Sequence, residues 1–287
     1  MELSGRKKKK YSGKSLAVTA VLCIFCVIYL FPLFLLVLSS FKEEQYIFDA
    51  FYMPSFSYLD NYIKVFTSST FWGSLVNTLV ICIITLSISV VLASMAGYVL
   101  ARSRERIFKA AKLVYMMALV VPAQANMMIL YKLGISMHLI NQPLYLILIY
   151  LGTNVSYSVM IYSAFTKSIH MEIEEAARID GCGRVKMFTN VIFPLLKPAT
   201  GTVIATTIFW YWNDFQGPLI YLSDGKHNTL MLEIFNFKEI IGTTSFASTA
   251  WGPVSALCII ASLPIIIFFL LTQEYLLSGM TAGAVKG

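Results

Sequence analysis

The sequence predicts an all-α membrane protein with six transmembrane helices. Of its 287 residues, 57% are hydrophobic and only 13% are charged, whereas about 25% of the residues in a soluble globular domain are charged. Apolar runs recur along the chain, and each is long enough to cross about 30 Å of hydrocarbon. Because one soluble core could not bury so much apolar surface, the composition favours a multi-pass membrane protein.

The six apolar runs are separated by polar loops. They lie at about 16–38, 75–99, 113–130, 144–165, 198–222 and 254–271. The first is longer than the apolar core of a signal peptide, which predicts a helix that is retained. Pro122 lies in the third run, and it is the residue at which we expect that run to be interrupted.

Basic residues predict the orientation. The N-terminus and the second and fourth loops, together with the tail, contain 17 of the 22 Lys and Arg residues. An excess of this kind marks the cytosolic side, so both termini are predicted to be cytosolic. The net charge of +7 is explained by this arrangement around a lipid bilayer, and no nucleic-acid partner is expected.

The runs and loops divide the chain into four segments. These are a basic cytosolic N-terminus at 1–15, a first transmembrane helix with an outer loop at 16–70, a transmembrane core at 71–272 and a cytosolic tail at 273–287. Two long outer loops, at about 40–73 and 223–253, are rich in acidic and aromatic residues.

The fourth loop contains a polar stretch at 172–194 that is typical of a helix, a glycine turn and a second helix. In the first helix, one predicted face consists of Ile173, Ala176, Ala177 and Asp180. Gly181 is expected to end this helix, and Pro194 is expected to end the second one. Such an element cannot bury its apolar face alone. The face could lie on lipid, but its small, alanine-rich surface favours docking against another protein.

The spacing within this stretch resembles a known motif. Glu175-Ala176-Ala177, three residues, Gly181, nine residues and Val191-x-Phe193-Pro194 are similar to the EAA motif of ABC importer permeases. The resemblance implies the type I ABC importer permease fold and a coupling helix that contacts an ATPase. The residues implied in this ATPase contact are Glu174, Glu175, Ala176, Ala177, Asp180, Gly181 and Pro194.

The resemblance also implies the partners. They are a second homologous permease subunit, two ATPase subunits and an external solute-binding protein that meets the outer loop at about 223–253. The sequence has no GxxxxGK[ST] phosphate loop, so ATP and Mg²⁺ are expected on the ATPase subunits, with no cofactor on this chain. Four of the five cysteines lie in apolar runs and the three histidines are far apart. No catalytic residue or metal ligand is therefore predicted.

Three other segments resemble signatures of carbohydrate permeases. They are Ala96-Gly97-Tyr98 with Ala101-Arg102, Trp212-Asn213-Asp214-Phe215 with Pro218-Leu219, and the tail from Gly279 to Gly287. The tail is similar to that of the maltose-type second permease half. This implies import of a sugar, with an oligosaccharide as the expected class, across a bacterial cytoplasmic membrane. An ABC permease for a non-sugar solute and a secondary transporter remain alternatives.

Polar residues near or inside the apolar runs are candidates for the translocation path. They are Asn77, Trp212, Asn213 and Asp214. Placing a charged group inside a membrane span costs free energy, so we expect Asp214 to have a specific partner or function. It lines a polar path for sugar hydroxyls, or it has a structural role, supporting the broken backbone near Gly217 and Pro218 or pairing with the second permease subunit. The structural role is favoured because the segment resembles one that serves many substrates.

Overall fold

A computed structural model describes residues 13–240 and 251–284, and every regular element within them is helical. The basic run at residues 6–10, residues 241–250 of the second outer loop and the last three residues of the tail lie outside the described residues. The described chain forms two compact units. One contains residues 13–65 and 251–259, and the other contains residues 66–240 and 260–284.

We number the helices in chain order. They are α1 (Gly13–Ser40), α2 (Asp60–Thr67), α3 (Phe71–Arg102), α4 (Arg106–Ala118), α5 (Ala123–Ser136), α6 (Pro143–Ser168), α7 (Met171–Ile179), α8 (Arg184–Leu195), α9 (Lys197–Asn213), α10 (Gln216–Tyr221), α11 (Leu230–Ile240) and α12 (Trp251–Ala284). A single 3₁₀ turn, Glu44–Tyr46, lies between α1 and α2 in the described chain.

In the first unit, Asn61 holds the end of α1. Its Nδ2 donates hydrogen bonds to the carbonyl oxygens of Ser40 (2.9 Å) and Lys42 (2.8 Å). Lys42 is itself buried, and its Nζ donates to the carbonyl oxygen of Asp49. Buried amide and ammonium groups need such partners, and here they satisfy carbonyls that a helix end leaves free.

In the second unit, α3 and α6 pack closely because small residues line their contact. A Cβ added at Gly97 would lie 2.5 Å from the Cβ of Tyr162 and 2.9 Å from the backbone nitrogen of Ser163. Ala93 and Ser94 are also buried on this part of α3. Small side chains let two membrane helices approach closely, so glycine is required at position 97.

Four described helices are long and apolar enough to cross a membrane: α1, α3, α6 and α12. Two further spans exist if each bent helix pair counts as one, and these pairs are α4 with α5, bent by 101°, and α8 with α9, bent by 69°. Pro122 is the N-cap of α5, which agrees with the expected interruption. The predicted third run is therefore not one straight helix. The bend of the second pair lies before the fifth run, and that run is interrupted instead at residues 214–215, between α9 and α10.

The prediction that Pro194 ends the second cytosolic helix is wrong. Helix α8 continues through Pro194 to Leu195, and the bend lies at Leu196, before α9. Residues Met187–Ile192 form a π-helical segment just before the proline. Because this wider turn changes the backbone hydrogen bonding, the missing N–H of Pro194 is tolerated within the helix.

Candidate functional site

The glycine turn in the polar stretch forms as predicted. Helix α7 ends at Ile179, and Gly181 adopts a φ of +82°, a left-handed conformation that favours glycine. The N–H of Cys182 donates to the carbonyl oxygen of Ala177 at 3.0 Å. This closes the helix in the manner of a glycine C-cap and reverses the chain toward α8.

The predicted apolar face of α7 is only partly correct. Ala177 is buried in an apolar cluster with Met187, Ile192 and Leu196. Ile173, Ala176 and Asp180, which were predicted to share that face, are exposed. The residue buried beside Ala177 is the charged Glu174, with 0% of its surface exposed. Periodicity alone did not predict this, because a carboxylate is buried only where it has partners.

Glu174 is held by three residues of its own chain. Nε of Arg102 donates to Oε1 at 2.6 Å, and the hydroxyl of Tyr98 donates to Oε2 at 2.9 Å. Nη2 of Arg102 also donates to the carbonyl oxygen of Ile169 at 2.8 Å. We call Tyr98, Arg102 and Glu174 the polar clamp. Arg178, one turn along α7, lies 3.8 Å from Oε2 with its side chain 61% exposed.

The polar clamp gives a role to the Ala96-Gly97-Tyr98 and Ala101-Arg102 signature. Tyr98 and Arg102 are four residues apart, so they lie on the same face of α3. Gly97 allows α6 to approach at the adjacent position. The sequence signal for this pair is an arginine at the end of one predicted span together with the acidic cluster at residues 172–175 in a later loop.

The outward side of α7 and its turn is the other half of this site. Glu175, Ala176 and Asp180 are exposed there, together with two apolar side chains, Ile179 (86% exposed) and Val185 (76% exposed). We call these five residues the docking surface. Gly181 and Pro194, two other residues implied in the ATPase contact, are also exposed. Glu174 and Ala177 point inward and do not belong to this surface.

A second candidate site is a cavity of about 630 Å³ in the second unit. Helices α5, α6, α9 and α10 surround it. Its lining is mainly aromatic and amide side chains with some apolar ones: Ala123, Gln124, Met127, Leu130, Ile149, Tyr150, Thr153, Asn154, Phe209, Trp210, Tyr211, Asn213, Asp214, Gln216, Gly217 and Tyr221. Among these described lining residues, Asp214 carries the only charged side chain.

Asp214 lies at the break between α9 and α10. Its Oδ2 accepts a hydrogen bond from the Tyr150 hydroxyl at 2.8 Å, and its Oδ1 accepts one from the N–H of Gly217 at 3.3 Å. A Cβ at Gly217 would lie 2.4 Å from Oδ2, so the carboxylate and the backbone approach closely. Asp214 thus satisfies a free N–H of α10, which agrees with a role in supporting this backbone, and it also faces the cavity.

The four candidate path residues do not all line this cavity. Asn213 and Asp214 do. Trp212 is buried on another side of α9, where its Nε1 donates to the carbonyl oxygen of Ala261 at 3.1 Å. Asn77 donates from Nδ2 to the carbonyl oxygen of Asn228 at 3.2 Å and is not part of the lining.

Sequence reasoning missed most of the lining. Gln124, Tyr150 and Trp210 come from three helices that are distant in sequence. Tyr150 and Tyr211 are stacked, with ring centroids 4.9 Å apart and an interplanar angle of 18°. No short motif contains them, so only the packing of α6 against α9 brings them together.

At the opposite end of α3, a second polar group attaches α11. The backbone N–H of Leu230 donates to Oγ1 of Thr78 at 2.7 Å. Glu233 is buried and accepts hydrogen bonds from the Thr70 hydroxyl and, at 3.0 Å, from Nδ2 of Asn228. We call Thr70, Asn228 and Glu233 the outer polar group. Among the described residues, no group of three His, Cys, Asp or Glu is suited to a metal ion.

Comparison with known proteins identifies relatives over most of the chain. Residues 89–281 match the family described as "Binding-protein-dependent transport system inner membrane component". The chain is 29% identical over 273 residues to "Melibiose/raffinose/stachyose import permease protein MelC" of Bacillus subtilis (strain 168), covering 94% of this chain and 96% of the relative. It is 30% identical to "Probable starch degradation products transport system permease protein AmyC" of Thermoanaerobacterium thermosulfurigenes, covering 92% and 94%.

A solved structure has the same fold. It is a chain of a bacterial ABC transporter involved in the import of the acidic polysaccharide alginate, with a TM-score of 0.82. The match covers 93% of this chain and 99% of the other, at 18% identity. At that identity the likeness concerns the fold alone.

Proposed function

The chain belongs to the family of binding-protein-dependent transport system inner membrane components, and on that premise we propose how it moves its cargo. It is a multi-pass permease subunit of an ABC importer. In the proposed assembly it forms a translocation path together with a second, homologous permease subunit. The observation that carries this proposal is the docking surface, an exposed apolar and acidic patch on α7, its turn and the start of α8, while the other face of α7 is engaged by its own chain.

We propose that the docking surface contacts an ATPase subunit. Ile179 and Val185 would bury their apolar side chains in this contact, and Glu175 and Asp180 would provide charges for specificity. Gly181 would keep the turn open to close approach. Compared with the set implied by the motif, the proposed contact leaves out Glu174 and Ala177, because both are buried within the chain.

The energy for transport is proposed to come from two ATPase subunits. The sequence has no phosphate loop, so ATP and Mg²⁺ would be held by those subunits. Closure of the ATPases on ATP would move α7. That movement would alternate the access of the path between the two sides of a bacterial cytoplasmic membrane.

For topology, we propose six spans with both termini cytosolic. This arrangement counts the bent pair α4 and α5 as one span and α9 with α10 as another, and it leaves α8 on the cytosolic side. It is supported by the 17 of 22 basic residues that fall on the side of the docking surface. The outer polar group then lies on the external side, where a solute-binding protein would deliver the cargo.

The proposed cargo is a sugar, with an oligosaccharide as the expected class. MelC and AmyC are both named for oligosaccharide or starch-derived cargo. Aromatic rings and side-chain amides line the cavity, and these groups suit the apolar faces and hydroxyl groups of a sugar ring. A non-sugar solute remains the second candidate.

The test is reconstitution of this chain into proteoliposomes together with a second permease subunit, two ATPase subunits and a solute-binding protein from the same organism. A panel of melibiose, raffinose, stachyose and maltotriose serves as labelled probes. Uptake of at least one probe is expected only when all components and ATP are present. Uptake by the purified chain without ATPases, driven by an ion gradient, would instead establish the secondary transporter alternative.

A further inference from the structure

We propose that the polar clamp is the joint through which α7 drives α3, so that Glu174 is a positioning residue and not an ATPase contact. This inference rests on the proposed function, in which α7 receives the movement of an ATPase. It assigns to Tyr98, Arg102 and Glu174 a role in coupling that the motif resemblance does not assign to them.

The first argument is the burial of the charge pair. Glu174 is fully buried, and the Arg102 side chain is 14% exposed. A buried ion pair is often no more stable than apolar side chains that fill the same space. Stability alone therefore does not account for a carboxylate beside Ala177. An ion pair does fix distance and direction between two helices, which apolar packing does less strictly.

The second argument is the number of attachments. Both carboxylate oxygens of Glu174 are engaged by α3, one by Arg102 and the other by Tyr98. Arg102 also holds the carbonyl oxygen of Ile169, just before α7. Three hydrogen bonds from one turn of α3 thus connect its C-terminal end to the start of α7. We therefore expect these two helix ends to move together.

The third argument is the path beyond the clamp. Helix α3 has 32 residues, which corresponds to about 48 Å at 1.5 Å per residue. Gly97, beside the clamp, brings α3 against α6. Tyr150 of α6 in turn donates its hydrogen bond to Asp214 in the cavity. A displacement at the clamp is therefore carried by packed helices to the cavity lining.

Arg178 does not replace Arg102 in this role. It approaches Glu174 at 3.8 Å from within α7 itself, and most of its side chain is exposed. A pair within one helix cannot transmit movement to another helix. Arg178 can therefore stay beside Glu174 within α7 even when the link from Glu174 to α3 is removed.

The experiment measures docking and coupling separately in the complete reconstituted importer. Glu174→Gln removes the charge but keeps the shape, Arg102→Lys keeps the charge, and Arg102→Gln removes it. Glu175→Lys, on the docking surface, is the matched control. Co-purification with the ATPases reports docking. The sugar transported per ATP hydrolysed reports coupling, with the best-transported probe of the panel.

For Glu174→Gln we expect ATPase co-purification within about twofold of wild type and a roughly five- to tenfold fall in sugar transported per ATP, a typical size for coupling between sites. Arg102→Lys should retain more of this ratio than Arg102→Gln. Glu175→Lys should instead lose the ATPases.

Two results would overturn the inference. In one, Glu174→Gln loses the ATPases as Glu175→Lys does, which would make Glu174 a docking residue. In the other, the sugar-to-ATP ratio stays at the wild-type value. If Glu174→Gln does not insert, Tyr98→Phe decides in the same way, since it removes one hydrogen bond and a fall of about twofold is expected. A wild-type chain that never binds the ATPases contradicts the proposed function, and this inference with it.

Discussion

Two short helices are attached to opposite ends of α3, and they are held in different ways. At one end, α7 is attached through the polar clamp, in which a buried carboxylate meets a guanidinium group. At the other, α11 is attached through the outer polar group, in which the Thr70 hydroxyl at the start of α3 donates to the carboxylate of Glu233, and Asn228, just before α11, donates to the same carboxylate. A cationic donor, Arg102, binds the carboxylate of α7, whereas uncharged donors bind the carboxylate of α11.

The difference indicates that the two ends serve different purposes. An ion pair with several hydrogen bonds resists displacement and favours transmission of movement. Hydrogen bonds from Thr70 and Asn228 cost less to break and to re-form. The comparison predicts a rigid cytosolic end and a more adaptable outer end of the same helix.

The largest effect is expected from Arg102→Met. It leaves the Glu174 carboxylate buried without its guanidinium, which should destabilise the protein by about 3–5 kcal/mol. Hydrogen exchange should increase in α7 and not in α11. The double variant Arg102→Met with Glu174→Met is the control, since it removes both charges and should recover most of the loss. Equal destabilisation by the single and double variants would contradict the role of the charge pair.

A smaller effect is expected from Gly97→Ala. The added methyl group meets Tyr162 and Ser163 at distances too short for contact, and overpacking of this kind costs about 1–3 kcal/mol. Gly152→Ala on α6 is the matched control, because a Cβ there has no atom within 4 Å and alanine is the better helix former. Thermal unfolding in detergent should separate the two variants. A neutral Gly97→Ala would show that α3 and α6 are not tightly apposed.

At the outer end, Thr70→Val removes one of the two donors to Glu233. We expect a cost of about 1–2 kcal/mol, because a hydrogen bond to a charged group is lost while Asn228 remains. Hydrogen exchange should increase in α11 while α7 is unchanged. Faster exchange in α7 would mean that the two ends of α3 are not independent.

The smallest effect on stability is expected from Glu175→Gln. This side chain is exposed on α7, so the unfolding temperature should not change measurably. Uptake should nevertheless fall in the reconstituted importer, because the docking surface loses a charge. Comparison with Glu174→Gln tests the buried and the exposed face of α7. The variant at the buried Glu174 should lower both stability and coupling, whereas the variant at the exposed Glu175 should lower uptake alone. Normal uptake by Glu175→Gln would remove Glu175 from the proposed contact.

The sequence by itself determined the class of the protein and the position in the chain of the helix–glycine–helix element. Apolar runs and basic loops predicted a helical membrane protein, and family membership is confirmed by the match over residues 89–281. The helix before Gly181 was also predicted correctly. These features depend on local spacing and composition, which the sequence contains directly.

Only the tertiary structure decided which side of each helix is buried. Adjacent residues Glu174 and Glu175 look equivalent in sequence, yet one is buried and the other is exposed because Arg102 reaches α7 from a different helix. In the same way, Trp212 turns toward Ala261 while Asn213 and Asp214 face the cavity. A partner distant along the chain determines each outcome, and local periodicity carries no information about such partners.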